Sequence, residues 1–184
     1  MKSYVCPSWF AAPLQNPLRR LINNPDMILD GLVVQGQTVV DLGCGPGFFS
    51  IPMARMVGPA GKVIAVDLQQ KMLDRLSRRA ARENLQSRIQ LHRCEPQKIG
   101  IVEPADFALA FWMVHEVPNR EVFLGEVRNI LRVDGHFLFV EPKLHVSAAS
   151  FQKTVDFISK LGFNQKSAPM IRLSRAVLFA VPRG

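Results

Sequence analysis

The stretch VVDLGCGPGFFS, Val39 to Ser50, constrains this chain more than any other. A short β-branched run reads as a buried strand, glycines stop it in a tight turn, and PMARMVG then supports a helix ending near Gly58. A strand that runs through a glycine turn into a helix opens a parallel α/β sheet, and ligands of such sheets lie beyond the carboxyl ends of the strands. The glycines are Gly43, Gly45 and Gly47; Phe48 stands where a dinucleotide fingerprint places its third glycine, and Pro46 removes a backbone donor. No lysine follows the turn as it does in a loop that cradles ATP phosphates. Asp67, about 20 residues beyond Gly47, ends the next strand, where an acid accepts both ribose hydroxyl protons. Asp41, before the turn, is placed to hold a ligand ammonium group directly or through water. Together these residues suit a nucleoside without a pyrophosphate.

The rest of the chain repeats the alternation. KVIAVD (Lys62 to Asp67) is a second strand, followed by the basic helix KMLDRLSRRAARENLQSR, Lys71 to Arg88. SRIQLHRC and ADFALAFWMV read as the third and fourth strands, and Pro118 opens a helix through Leu131. Asp134-Gly135 turns the chain into GHFLFVEP, the fifth strand. SAASFQKTVDFISKLG is a helix with Ser147 as its cap and Gly162 at its end. FNQKSAPMIRL and SRAVLFAVP have no helix between them and should pair antiparallel. The expectation is one domain over residues 1–184, with helices on both faces of the sheet. Residues 1–30, punctuated by Pro7, Pro13, Pro17 and Pro25, form its cap or flap.

The net charge of +8 invites a nucleic-acid reading, and much of it sits on the basic helix. Leu73, Leu76 and Ala80 share one face there while Arg75, Arg78, Arg79 and Arg82 fall elsewhere, as on a solvated helix. No aromatic residues interleave the arginines as stacking on single strands requires. Cys6, Cys44 and Cys94 lack the paired spacing of zinc or redox sites, so no metal is expected and the thiols read as reduced. No apolar run reaches the roughly 18 residues of a membrane helix, and prolines interrupt any secretory core, which points to a cytoplasmic protein.

The array DLGCGPG, VIAVD and DFALAFWMVHEVPNREVFLGEVRNILRVDGHFLFVEP resembles the class I S-adenosylmethionine-dependent methyltransferases from about Asn24 to Pro182. Its closest likeness is to the small-molecule branch that includes the ubiquinone and menaquinone biosynthesis enzymes. The resemblance implies a Rossmann-like seven-stranded sheet in the order 3-2-1-4-5-7-6, with SRAVLFAVP as the antiparallel last strand. It implies S-adenosyl-L-methionine as cofactor and S-adenosyl-L-homocysteine as product. By the same resemblance Asp41, Gly43, Gly45 and Gly47 face the methionine part, Asp67 the ribose, and Leu68 and Met72 the adenine. The family often carries Asp after its third strand; here Cys94 and Glu95 occupy that place. Ala110 and Phe111 line the reactive side.

In-line methyl transfer needs a general base only when the nucleophile keeps its proton. His115 is the candidate base with Glu116 as its support, although the pair equally suits a helix cap; Trp112 lies beside them. Glu141 and His145 follow the fifth strand at the same end of the sheet, and Trp9 and Phe10 sit in the proline-rich start. No Asn/Asp-Pro-Pro-Tyr/Phe motif follows the fourth strand, so amide or base-amine methylation in that style is not supported. The expectation is a small-molecule acceptor, no membrane span, no nucleic-acid partner, and a monomer or homodimer. The competing readings are an RNA methyltransferase and a non-catalytic S-adenosylmethionine-binding protein.

Overall fold

A computed structural model describes residues 22–183. The elements run α1 (Pro25–Leu29), β1 (Thr38–Leu42), α2 (Ser50–Met56), β2 (Lys62–Asp67), α3 (Gln70–Arg82), β3 (Ile89–Arg93), β4 (Ala105–Phe111), α4 (Arg120–Ile130), β5 (Leu131–Pro142), α5 (Ala148–Lys160), β6 (Asn164–Ser167) and β7 (Ser174–Ala180). Single 3-10 turns cover Gln86–Arg88 and Val114–Glu116. The seven strands form one sheet in the order β3-β2-β1-β4-β5-β7-β6. Strands β1 to β5 pair in parallel, and β7 is antiparallel to both β5 and β6. This is the expected topology.

Strands β1, β2 and β4 are buried along nearly their whole length, which is why their sequences are apolar without alternation. Alternate side chains feed two separate cores. Val39, Val63, Ala65, Phe107 and Leu109 pack with Leu29, Met53, Leu73 and Leu76 of α1 to α3 on one face. Val40, Ile64, Ala108, Phe137 and Phe139 pack with Leu124, Val127, Val155 and Ile158 of α4 and α5 on the other. Phe107, Phe137, Phe139 and Phe179 are wholly buried, each stabilising the fold by about 1.5–3 kcal/mol through burial.

Two boundaries differ from expectation. Helix α4 starts at Arg120 because the Asn119 side chain caps it, accepting from Val122 N at 3.1 Å, so Pro118 lies outside the helix. The Asp134-Gly135 turn sits inside β5 as a bulge: Ala105 of β4 faces Leu131, and Phe107 faces His136. Asp134 takes a positive φ of 62°, and a Cβ on Gly135 would approach Arg132 O at 2.8 Å, so only glycine admits this close turn. Ser147 caps α5 by accepting from Ser150 N, and Gly162 follows that helix at φ +88°, as the sequence predicts.

Candidate active site

The strand order reverses between β1 and β4, and a cavity of about 510 Å³ opens there at the carboxyl ends of the strands. The glycine loop forms one wall. Cys44 N donates to Val66 O at 2.9 Å, tying the loop to β2. Gly45 N donates to Asp67 Oδ2 at 2.9 Å, and Gln69 N donates to Asp67 Oδ1 at 2.8 Å. At φ +53°, Gly45 has nothing within 4 Å of where a Cβ would stand, so its open side is bare backbone. Gly47 differs: a Cβ there would lie 2.4 Å from Leu76 Cδ1, so its bareness admits α3 rather than a ligand. Arg79 of α3 reinforces that approach, donating to Gly47 O at 3.2 Å, while Arg75, Arg78 and Arg82 stay exposed.

Two buried carboxylates flank the loop. Asp41 accepts from Ser50 Oγ at 2.5 Å. Asp67 is 9% exposed; burial raises its pKa above the ordinary carboxylate value, opposed by the N–H groups of Gln69, Gly45 and Leu68. A carboxylate offers about four lone-pair directions, so beside the Gly45, Gln69 and Leu68 amides Asp67 keeps accepting capacity for a ligand. Leu68, Met72, Cys94, Glu95 and Phe111 join Asp41, Gly43, Gly45 and Asp67 in lining this half of the cavity. Gly47 and Ala110 are not among the lining residues; Ala110 is wholly buried in the core beneath α4 and α5. Burial pushes the Cys44 thiol well up, helped by the charges of Asp41 and Asp67, and lifts Cys94 to about 11. Both thiols are free and stay protonated near neutrality.

The other half of the cavity is built by the segments after β4 and β5 and before β7. Phe49, Phe111 and Trp112 form an aromatic row with centroids 4.6 and 5.2 Å apart. Trp112 follows β4 at φ +60°, held by its N–H on Val140 O (2.8 Å) and its indole N–H on Ser174 Oγ (2.9 Å). His115 follows on the 3-10 turn, and the structure gives its support to Glu141 rather than to Glu116. His115 N donates to Glu141 Oε1 at 2.9 Å, and the ring Nδ1 lies 2.6 Å from Glu141 Oε2. Glu116 Oε1 stands 3.9 Å from Nε2. Glu141 is 2% exposed and His115 lines the cavity, with the His145 ring 5.8 Å away.

Phe48, Met113, Phe123, Leu144 and Leu173 also line this half, and sequence reasoning did not single them out for this role. Phe48 carried a signal, since it follows the glycine turn; Leu144 and Leu173 are isolated apolar loop residues and carried none. Trp9, Phe10, Cys6 and most of the expected N-terminal cap lie outside the described residues; of that segment, α1 is seen, capped by Asn24. Among the described residues no cluster of His, Cys, Asp and Glu has the makings of a metal site, and no helix is long and apolar enough to cross a membrane.

Comparison with known proteins gives this geometry its context. A family model described as a methyltransferase domain matches residues 39–135. A demethylmenaquinone methyltransferase of Lactobacillus johnsonii is 34% identical over 104 residues, covering 56% of this chain and 43% of that protein. A 23S rRNA (uracil(1939)-C(5))-methyltransferase of Acinetobacter baumannii is 47% identical over 51 residues, 28% of this chain and 11% of that one. The chain thus spans less than half the length of these two curated relatives. The crystal structure of a SAM-dependent methyltransferase from Aquifex aeolicus superposes with a TM-score of 0.85 at 20% identity, over 96% of this chain and all of that one, and shows the same fold. With the family model covering more than half of its residues, this chain belongs to the methyltransferase domain family, in the class I S-adenosylmethionine-dependent group.

Proposed function

We propose that this protein transfers a methyl group from S-adenosyl-L-methionine to a small-molecule acceptor, releasing S-adenosyl-L-homocysteine. One observation carries the reading: a single cavity joins the acid-and-glycine wall to an aromatic half that contains His115. At about 510 Å³ it falls within the roughly 300–1,000 Å³ of small-molecule sites.

The residues present fit the cofactor. Asp67 would accept the ribose hydroxyls, the open face of Gly45 would let the ligand lie on the main chain, and Asp41 would hold the ammonium end. Leu68 and Met72 would pack on the adenine, with Cys94 and Glu95 at its edge and Phe111 on the reactive side. When bound, the cofactor supplies a methyl carbon on a sulfonium leaving group. The chain's part is to hold the acceptor in line and keep water out, for which the aromatic row of Phe49, Phe111 and Trp112 is suited.

Calorimetry with S-adenosylmethionine and S-adenosylhomocysteine, followed by labelled-methyl transfer into a cell extract, tests the reading. The expected result is binding of both and label in a low-molecular-weight product. Label in RNA, with affinity falling steeply in salt, would replace the acceptor class. Binding without any transfer would leave a cofactor-binding module.

A further inference from the structure

Glu141 stands out because its position is costly. A buried carboxylate loses hydration worth several kcal/mol unless partners replace it. Both of its oxygens are turned on one residue, His115, one to the peptide N–H and one to the ring. A structural cap needs only the first of these bonds. The second fixes the ring: Nδ1 must carry the hydrogen that the carboxylate accepts, so in neutral His115 the lone pair is on Nε2. Glu116, at 3.9 Å, is too far from Nε2 for a hydrogen bond. The surroundings are flat and apolar: Phe111, Trp112, Met113 and Phe123 line the cavity with His115. Trp112 is fixed at both its backbone and its indole, in a backbone conformation that costs about 1–3 kcal/mol.

We propose that the acceptor is an ionisable hydroxyl on a flat apolar body, that Nε2 of His115 removes its proton, and that Glu141 is the positioning residue presenting that nitrogen. The inference rests on the methyltransferase reading above and narrows it to an acceptor class. The balance is simple. The acceptor's O–H bond breaks and its proton goes to Nε2, while an oxygen lone pair forms the new O–CH3 bond. The C–S bond breaks with its pair returning to sulfur, which leaves as a neutral thioether. A neutral aryl amine attacks through its own lone pair and sheds its proton only after transfer, and a thiol ionises near neutrality without a base. A phenol-like hydroxyl, with a pKa near 10, is the acceptor that gains most from a base.

The charged and titratable groups around His115 agree with this role. Its pKa is raised above 6.5 first by the Glu141 hydrogen bond, against the opposing effect of burial, and further by the charges of Glu141 and Glu116. Arg120, at the start of α4, donates to His115 O at 3.1 Å and pulls the other way; the His145 ring faces it from the loop after β5. Transfer should therefore rise with pH through a His115 value above 6.5.

The test has three readouts on the full chain. Nitrogen NMR of the free protein should find the Nδ1–H form of His115 and a pKa above 6.5 that falls in Glu141→Gln; an unshifted pKa in that variant overturns the proposal. Calorimetry should find S-adenosylhomocysteine affinity within about twofold of wild type in Glu141→Gln and His115→Asn, showing that both fold. Labelled transfer is then measured to 2-naphthol, 2-naphthylamine and 2-naphthalenethiol. The expected result is methyl ether alone, kcat reduced roughly 10²–10⁴-fold in His115→Asn with little change in KM, and the acid limb of the pH profile moved down in Glu141→Gln. Methylated amine or thiol, no product, or an undiminished rate in His115→Asn overturns it while the cofactor reading stands. Failure of the wild type to bind S-adenosylhomocysteine overturns both.

Discussion

The Asp67 carboxylate and the Gly45 amide, on segments that follow different strands, are hydrogen-bonded at 2.9 Å. This bond joins the acid proposed to bind the ribose to the loop that the methionine part would lie against.

Asp67→Ala should lose roughly 1.5–3 kcal/mol of S-adenosylhomocysteine affinity, the worth of hydrogen bonds to a charged group. Because burial raises the Asp67 pKa above 3.8, the carboxylate needed for binding begins to protonate at a higher pH than an exposed acid does. Wild-type affinity should therefore fall on acidification, starting above the usual carboxylate range, and Asp67→Ala should lack that fall. Calorimetry across pH 4.5–8 reads both effects.

Gly47→Ala should destabilise the protein by about 1–3 kcal/mol, since the new methyl meets buried Leu76 and the φ of +88° strains any side chain. Leu76→Ala in the same chain should recover part of the steric cost but none of the backbone strain. Urea unfolding of the two single variants and the double variant gives the coupling.

The His115–Glu141 pair should make stability depend on pH. The His115 pKa is raised in the folded protein, so the pair contributes fully below the unfolded value of about 6.5. That contribution is lost as pH rises through the higher folded value. Urea midpoints measured from pH 5.5 to 9 should fall more steeply for wild type than for Glu141→Gln.

Ser147→Ala removes a helix cap outside the residues that line the cavity and should cost about 1 kcal/mol of stability. Cofactor affinity should not change, which makes this variant the control for the others.

The alternation of strands and helices and the glycine turn are legible in the sequence because their signals are local, whereas the strand order follows from the family resemblance. The glycine turn, the acid at the end of KVIAVD and the Ser147 cap each declare themselves within a few residues. The partner of His115 is not local: Glu141 lies on the neighbouring strand, 26 residues on, and only the pairing of β4 with β5 brings them together. Sequence adjacency suggested Glu116 instead. The β5 boundary escaped for a related reason, since the Asp134-Gly135 signal is the same for a hairpin turn and a bulge, and only the pairing with Ala105 distinguishes them. Leu144 and Leu173 escaped because an apolar loop residue looks alike whether it lines a cavity or merely covers a core.

The division of labour across the β1/β4 junction has a consequence for inheritance. The segments after β1, β2 and β3 carry the residues assigned to the donor nucleoside, and those beyond β4 and β5 and before β7 surround His115. On the proposed reading, methyl supply and choice of customer are thus encoded in largely separable parts of the gene. On that reading a lineage can rewrite the loop residues around His115, among 142–145 and at 173 to serve a new compound while His115 and the methyl source stay untouched.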